Sequence, residues 1–164
     1  MKVESFEYNI RNKIVPMAQS ILIRHGEHIP TVFIYDKYGI ERISELNDLF
    51  NIKDKDMVFG VLRQFLKEVD AKAMVLITEV WYRKVNKDAI KDEMFDGKKR
   101  VSECSDKREA LTIHWEYNFE EHKEGILNFP FESNDGSVSI LYDECSDSIC
   151  DSENFIGRSM HLLK

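Results

Sequence analysis

The run AMVLITEVWY at residues 73–82 places Met74, Leu76, Thr78, Val80 and Tyr82 on one alternation and Val75, Ile77, Glu79 and Trp81 on the other. Both sets are mostly apolar, as a strand covered on both sides requires, so the run predicts a strand in the middle of a sheet. Just upstream, Met57, Val58, Val61, Leu62, Phe65, Leu66 and Val69 mark one face of a helix, with Asp54 placed to cap its N-terminus. Ser44–Phe50 reads as a helical turn or two. Further back, Thr31–Tyr35 and Ile40–Ile43 flank Asp36-Lys37-Tyr38-Gly39, where Gly39 can take the positive φ of a hairpin turn. At the start, Val3, Phe6, Ile10, Ile14, Met17 and Ile21 recur in steps of three and four. They predict a helix that Pro16 either kinks or divides in two, with Pro16 in the first turn of the second part. Gly26 ends it.

Downstream, residues 83–108 hold few apolar side chains and no clean period, which predicts a long charged loop that protrudes. Leu111, Ile113, Trp115, Tyr117 and Phe119 then alternate with Thr112, His114, Glu116 and Asn118, a strand with one dry and one wetter face. The dry face, Trp115 included, is expected to pack on Leu62 and Phe65. Leu127, Phe129 and Phe131 repeat the alternation, Asn134-Asp135-Gly136 supplies turn chemistry, and Val138, Ile140 and Tyr142 return the chain. Pro130 removes one N–H from the middle of these three strands, so a gap or bulge is expected there. An acidic, Ser-rich loop follows, and Asn154–Leu163 is a final short helix or strand.

The element order, α-β-β-α-β-β-β with a further strand closing the meander, predicts a single-domain α+β fold over residues 1–164, one mainly antiparallel sheet with helices packed on it. In order alone it is similar to roadblock-type and profilin-like domains. No motif residue is shared, so the resemblance implies a fold and no activity.

With 164 residues, 43% of them apolar, 18 aromatics (2 Trp, 6 Tyr, 10 Phe) and a net charge of −7, the chain can form one hydrophobic core. The longest unbroken apolar run, Ala73–Ile77, is far short of the ~20 residues needed to span a bilayer. The first ten residues lack the apolar run of a secretory leader. Three cysteines, Cys104, Cys145 and Cys150, form an odd and sparse set, which predicts free thiols and a cytoplasmic location. The acidic balance argues against duplex DNA as a partner.

No phosphate-cradling glycine motif and no nucleophile elbow occurs, and no cofactor is predicted. Weak candidates for chemistry remain. His25 and His28 flank Gly26 and Glu27 and could supply two metal ligands, although cationic groups in a last helical turn are the commoner reason for such residues. Glu79 interrupts an apolar strand, where burial would raise its pKa and suit general acid or base work with His114 or Glu116; a strand-end ion pair with Arg83 or Arg108 is the competing reading. Phe95, Lys98, Lys99 and Arg100 could contact phosphate or single-stranded nucleic acid, but interleaved acids disfavour RNA. Seven acids and no Lys or Arg lie between Glu132 and Gly157, irregularly spaced, which reads as a solvated segment over residues 132–157 rather than a calcium loop.

Without a coherent catalytic constellation, the expectation is a non-enzymatic interaction or accessory domain that self-associates. The alternative is a small metal-assisted hydrolase using Glu79 and His114. A homodimer is expected because Trp81, Trp115, Phe119, Phe129 and Phe131 exceed what two helices can readily cover.

Overall fold

The computed structural model describes residues 2–82, 105–149 and 162–163. The N-terminal segment is continuous helix: α1 (Val3–Asn9), a π-helical turn (Ile10–Ile14) and α2 (Val15–His25), with Pro16 in the first turn of α2. The π turn lies just before the residue that lacks an N–H, one of the places where a helix absorbs an irregularity. Gly26 closes α2 at φ 78°, the left-handed stop that favours glycine.

A hairpin follows, β1 (Thr31–Tyr35) and β2 (Glu41–Glu45), then a single turn α3 (Asn47–Phe50). Asp36 shapes the hairpin turn by accepting hydrogen bonds from Tyr38 N and Ile40 N. Helix α4 (Lys55–Glu68) starts at Asp54, whose carboxylate accepts from Asp56 N and Met57 N at 3.0 and 3.2 Å.

The remaining strands are β3 (Ala73–Tyr82), β4 (Arg108–Asn118), β5 (His122–Asn134), β6 (Ser137–Ile140) and β7 (Ser146–Ile149). One antiparallel sheet runs β2-β1-β3-β4-β5-β6, with β7 also on β5. β3 lies between β1 and β4, as a strand apolar on both faces should. Asp135 and Gly136 take φ values of 51° and 80° between Asn134 and Ser137, the two-residue turn whose twist suits a hairpin.

The Ser-rich stretch is a strand, not a loop: Ser146–Ile149 pairs with Gly125–Asn128. The outer edge of β5 offers unpaired backbone groups, and ladder bonds satisfy them whatever the side chains are. Leu141 N donates to Pro130 O at 2.8 Å, so the outer side of Pro130 lies where β5 changes partner from β6 to β7. A strand residue directs N and C=O to the same side, so the missing proline N–H costs no bond to β4.

Each face of the sheet has its own cover. Phe33, Tyr35, Val75, Ile77, Leu111, Ile113, Trp115 and Tyr117 pack with Phe6, Ile10, Ile14, Ala18 and Leu22 of the N-terminal helices. Val32, Ile34, Met74 and Leu76 pack with Leu62 and Leu66 of α4 and with Leu162. Trp115 therefore lies on the face opposite to the expected partners Leu62 and Phe65. Alternation determines which residues share a face, but not which helix crosses it. On the first face Trp115, Tyr117 and Phe119 stack in sequence, at centroid separations of 5.7 and 5.5 Å, and Phe6 meets Tyr117 and Phe119 edge-on. Gly125, opposite Trp115 in the ladder, is required there: a Cβ would lie 2.3 Å from the indole.

Of the five aromatics behind the expected dimer, Trp115 and Phe131 are buried, Phe119 and Phe129 pack against the same core, and Trp81 alone is exposed. The apolar excess of the sheet is covered within the chain. The larger part of the charged loop (83–104), with Phe95, Lys98, Lys99 and Arg100, lies outside the described residues, as do Cys104, Cys150 and residues 154–161 of the expected terminal element. Arg108 already belongs to β4. No helix among the described residues is long and apolar enough to cross a membrane.

Candidate functional site

The β4–β5 ladder places Glu116 directly opposite Glu124, Asn118 opposite His122, and His114 opposite Ile126. Opposed residues share a face, and so do residues two apart, which brings His114, Glu116, His122 and Glu124 together. Their face is the one covered by α4, because Glu116 and His114 neighbour Met74 and Leu76 of β3. There His114, Glu116 and Glu124 are 2, 0 and 2% exposed.

Two facing carboxylates in an apolar layer repel each other and lose their hydration, so this arrangement needs compensation. Glu116 has much of it. Its Oε2 accepts Leu162 N at 2.7 Å, and its Oε1 accepts Leu163 N at 2.9 Å. His122 Nε2 lies 2.6 Å from the same Oε1, and because a carboxylate oxygen accepts, that nitrogen carries the proton. His122, at 18% side-chain exposure, is the most open of the four.

His114 is different. Its Nε2 is 3.5 Å from Glu124 Oε2, in ion-pair range but too long for a good hydrogen bond, and both of its buried ring nitrogens lack a hydrogen-bond partner. One donor atom from each of His114, Glu116 and Glu124 falls within 4.8 Å of the others, the one such cluster of metal-ligand side chains among the described residues. A tetrahedral ion with arms of about 2.0–2.2 Å holds its donors roughly 3.3 Å apart. The His114–Glu124 separation is close to that. One imidazole and two carboxylates suit zinc, manganese or ferrous iron, whereas calcium and magnesium favour all-oxygen sets.

The expected pairing of Glu79 with His114 does not form. Glu79 lies opposite Leu111 and so belongs to the face of Trp115, while His114 points through the other side of the sheet. Glu79 instead accepts the backbone N–H of His28. Burial pushes its carboxyl pKa up, the His28 bond works against that, and the charges of Glu109 and Glu27 add to the rise. Arg108, its alternative partner, pairs with Glu144 at 2.7 Å.

The His25/His28 pair is split. Gly26 turns the chain, leaving His25 exposed and His28 buried. His28 Nδ1 donates to Ile29 O at 2.8 Å, which leaves Nε2 buried without a hydrogen-bond partner, and burial lowers the ring's pKa. Cys145 is a free thiol whose pKa is raised by burial.

No local pattern marks Glu124 and His122 as site residues. A usable signal was present: residues 116 and 124, like 118 and 122, are equidistant from Glu120, so any tight turn centred there forces both pairings. No protein-family model, no curated protein and no solved structure matches the chain. The protein is therefore classed by its own structure, a single-sheet α+β fold with a buried histidine–carboxylate cluster.

Proposed function

We propose that this protein is an accessory, non-enzymatic domain that holds one divalent transition-metal ion between β4 and β5, with His114, Glu116 and Glu124 as ligands. The observation that carries the reading is His114: an imidazole 2% exposed, with no hydrogen-bond partner at either nitrogen, beside two buried carboxylates. A cation offsets the repulsion between the carboxylates and gives the ring a partner. The role is structural rather than hydrolytic, because Glu116 is enclosed by backbone amides and His122 and the expected base Glu79 is on the far face. Three sparse cysteines fit a reducing, cytoplasmic setting.

Elemental analysis of protein purified without an affinity tag, followed by zinc and manganese titration of chelator-treated protein, tests the reading. One equivalent should bind to the parent chain, and His114→Ala or Glu124→Gln should abolish tight binding while the fold persists. A chain that binds neither ion sinks the proposal.

A second property rests on a separate observation. Met57, Val61 and Phe65 repeat every four residues along α4 and are 56, 48 and 37% exposed. This apolar row, rather than the sheet, is the surface through which we propose a homodimer. Sedimentation equilibrium should give twice 19.3 kDa for the parent chain. Val61→Glu should give the monomer mass. A parent chain that is monomeric throughout the micromolar range excludes the dimer.

A further inference from the structure

We infer that metal occupancy and the seating of the Leu162–Leu163 turn are one coupled equilibrium, joined through the Glu116 carboxylate. The inference rests on the metal-binding reading above and adds to it a means of regulation. Two consecutive backbone amides converge on one carboxylate, Leu162 N on Oε2 at 2.7 Å and Leu163 N on Oε1 at 2.9 Å. The Leu162 side chain, 2% exposed, enters the same apolar cluster as Leu62, Leu66, Met74 and Leu76. The turn thus covers the face on which the three ligands lie and holds one of them in place.

The direction of coupling follows from what each amide does. A carboxylate can rotate about its last side-chain torsion, a broad and weakly restrained one. Two amide donors restrain Glu116 in the orientation that directs it into the cluster, so its ordering cost is met before the ion arrives. Unseating the turn leaves that carboxylate held by His122 alone and admits water to the cluster, and both effects weaken the ion's hold. The ion also draws charge from Glu116 and so weakens each amide bond somewhat. That loss is smaller, because Oε2 accepts Leu162 N alone and has a second lone pair to give the ion. By linkage, an ion that binds better with the turn seated makes the turn harder to unseat, by the same factor.

The site could use this reciprocity in either direction. A partner that captures residues 162–163 would promote release of the ion, and loss of the ion would expose the turn to such a partner. The chemistry that would recognise the released turn is an apolar groove for two leucines.

The test has two arms. In the first, zinc alone is titrated into the full chain and into a chain lacking residues 162–164, both stripped with a chelator, with circular dichroism verifying the fold. Roughly tenfold weaker binding is expected on deletion, within the usual 5- to 150-fold range of coupling between sites. In the second, the chain ending at Lys164 is digested by a serine carboxypeptidase with and without zinc, and release of Leu163 and Leu162 after Lys164 is followed by mass spectrometry. Zinc should slow release by a factor similar to the affinity loss. Equal zinc affinity in both folded chains overturns the coupling and leaves the metal site standing. If the deleted chain does not fold, the second arm decides by itself: release at the same rate with and without zinc overturns the coupling. If the full chain binds manganese and not zinc, both arms are run with manganese; failure to bind either ion removes the metal-binding reading and this inference with it.

Discussion

The two faces of this sheet come from the same strands and follow the same alternation, yet they are used differently. Toward the N-terminal helices, β4 presents Leu111, Ile113, Trp115 and Tyr117, and the stacked rings fill the layer with Phe6 against them. Toward α4, the intervening residues of β4 include His114 and Glu116, no less buried than their neighbours. An aromatic layer of this kind gains stability by area removed from water and by ring geometry. A buried carboxylate pair gains none that way and persists only with specific partners. The comparison teaches that depth of burial does not separate scaffold from site; the chemistry of what is buried does.

The strongest way to break this comparison is at the aromatic layer. Trp115→Ala should cost about 3–5 kcal/mol of unfolding free energy, a typical loss for a core aromatic. Urea denaturation measures it, and a change below ~1 kcal/mol would mean that the first face is not the scaffold.

On the polar face, Glu116→Leu should cost about 1–3 kcal/mol for each amide left without an acceptor, Leu162 N and Leu163 N. Glu116→Gln keeps one acceptor oxygen and should lose less. Equal losses for the two variants, compared by thermal unfolding of metal-free protein, would show that the amide contacts carry no energy.

A smaller effect is expected where α4 begins. Asp54→Ala removes the acceptor for Asp56 N and Met57 N and should cost about 1 kcal/mol. Because α4 covers only the polar face, the fluorescence of Trp115 in the folded state should not change. A shifted emission would show that the two faces are not independent.

The smallest effect concerns Glu79, a half-buried carboxylate on the aromatic face. Glu79 titrates above its ordinary value of 4.5 because it is partly buried, so the folded protein favours its protonated form. Its contribution is fully present below pH 4.5 and is lost as pH rises through the raised value. Glu79→Gln imitates the protonated form and should be more stable than the parent at pH 7, with the advantage closing below pH 4.5. His28 has the opposite sign: its pKa lies below 6.5, so its contribution is present above that pH and is lost as pH falls through the lowered value. Chemical denaturation at pH 7 and pH 4 checks the prediction. An advantage for the Gln variant that persists unchanged at pH 4 would refute the burial of Glu79.

Much of the architecture was legible because its signals are local. The Asp54 cap, the Pro16 break, the Asp135-Gly136 turn and the double-sided β3 each depend on residues a few positions apart. Strand β7 was hidden because its stabilisation is backbone pairing to β5, which leaves no mark in the side chains of Ser146–Ile149. His114 and Glu116 stand out in the pattern of β4 and do come together, but Glu79 does not join them. Glu79 and His114 lie on neighbouring strands, and parity puts them on opposite sides of the sheet.

The class of fold and the residues of each strand that share a face follow from the sequence, since helical and strand periods are properties of the local chain. Which cover each face receives, the sealing of the wetter face of β4, and the hold on Glu116 by residues 46 and 47 positions away in the chain come from the assembled fold. Those outcomes depend on long-range packing of α4 and Leu162 against the sheet. A polar residue on a strand reads the same whether water or another segment of the chain lies above it, and the difference appears only when that segment arrives.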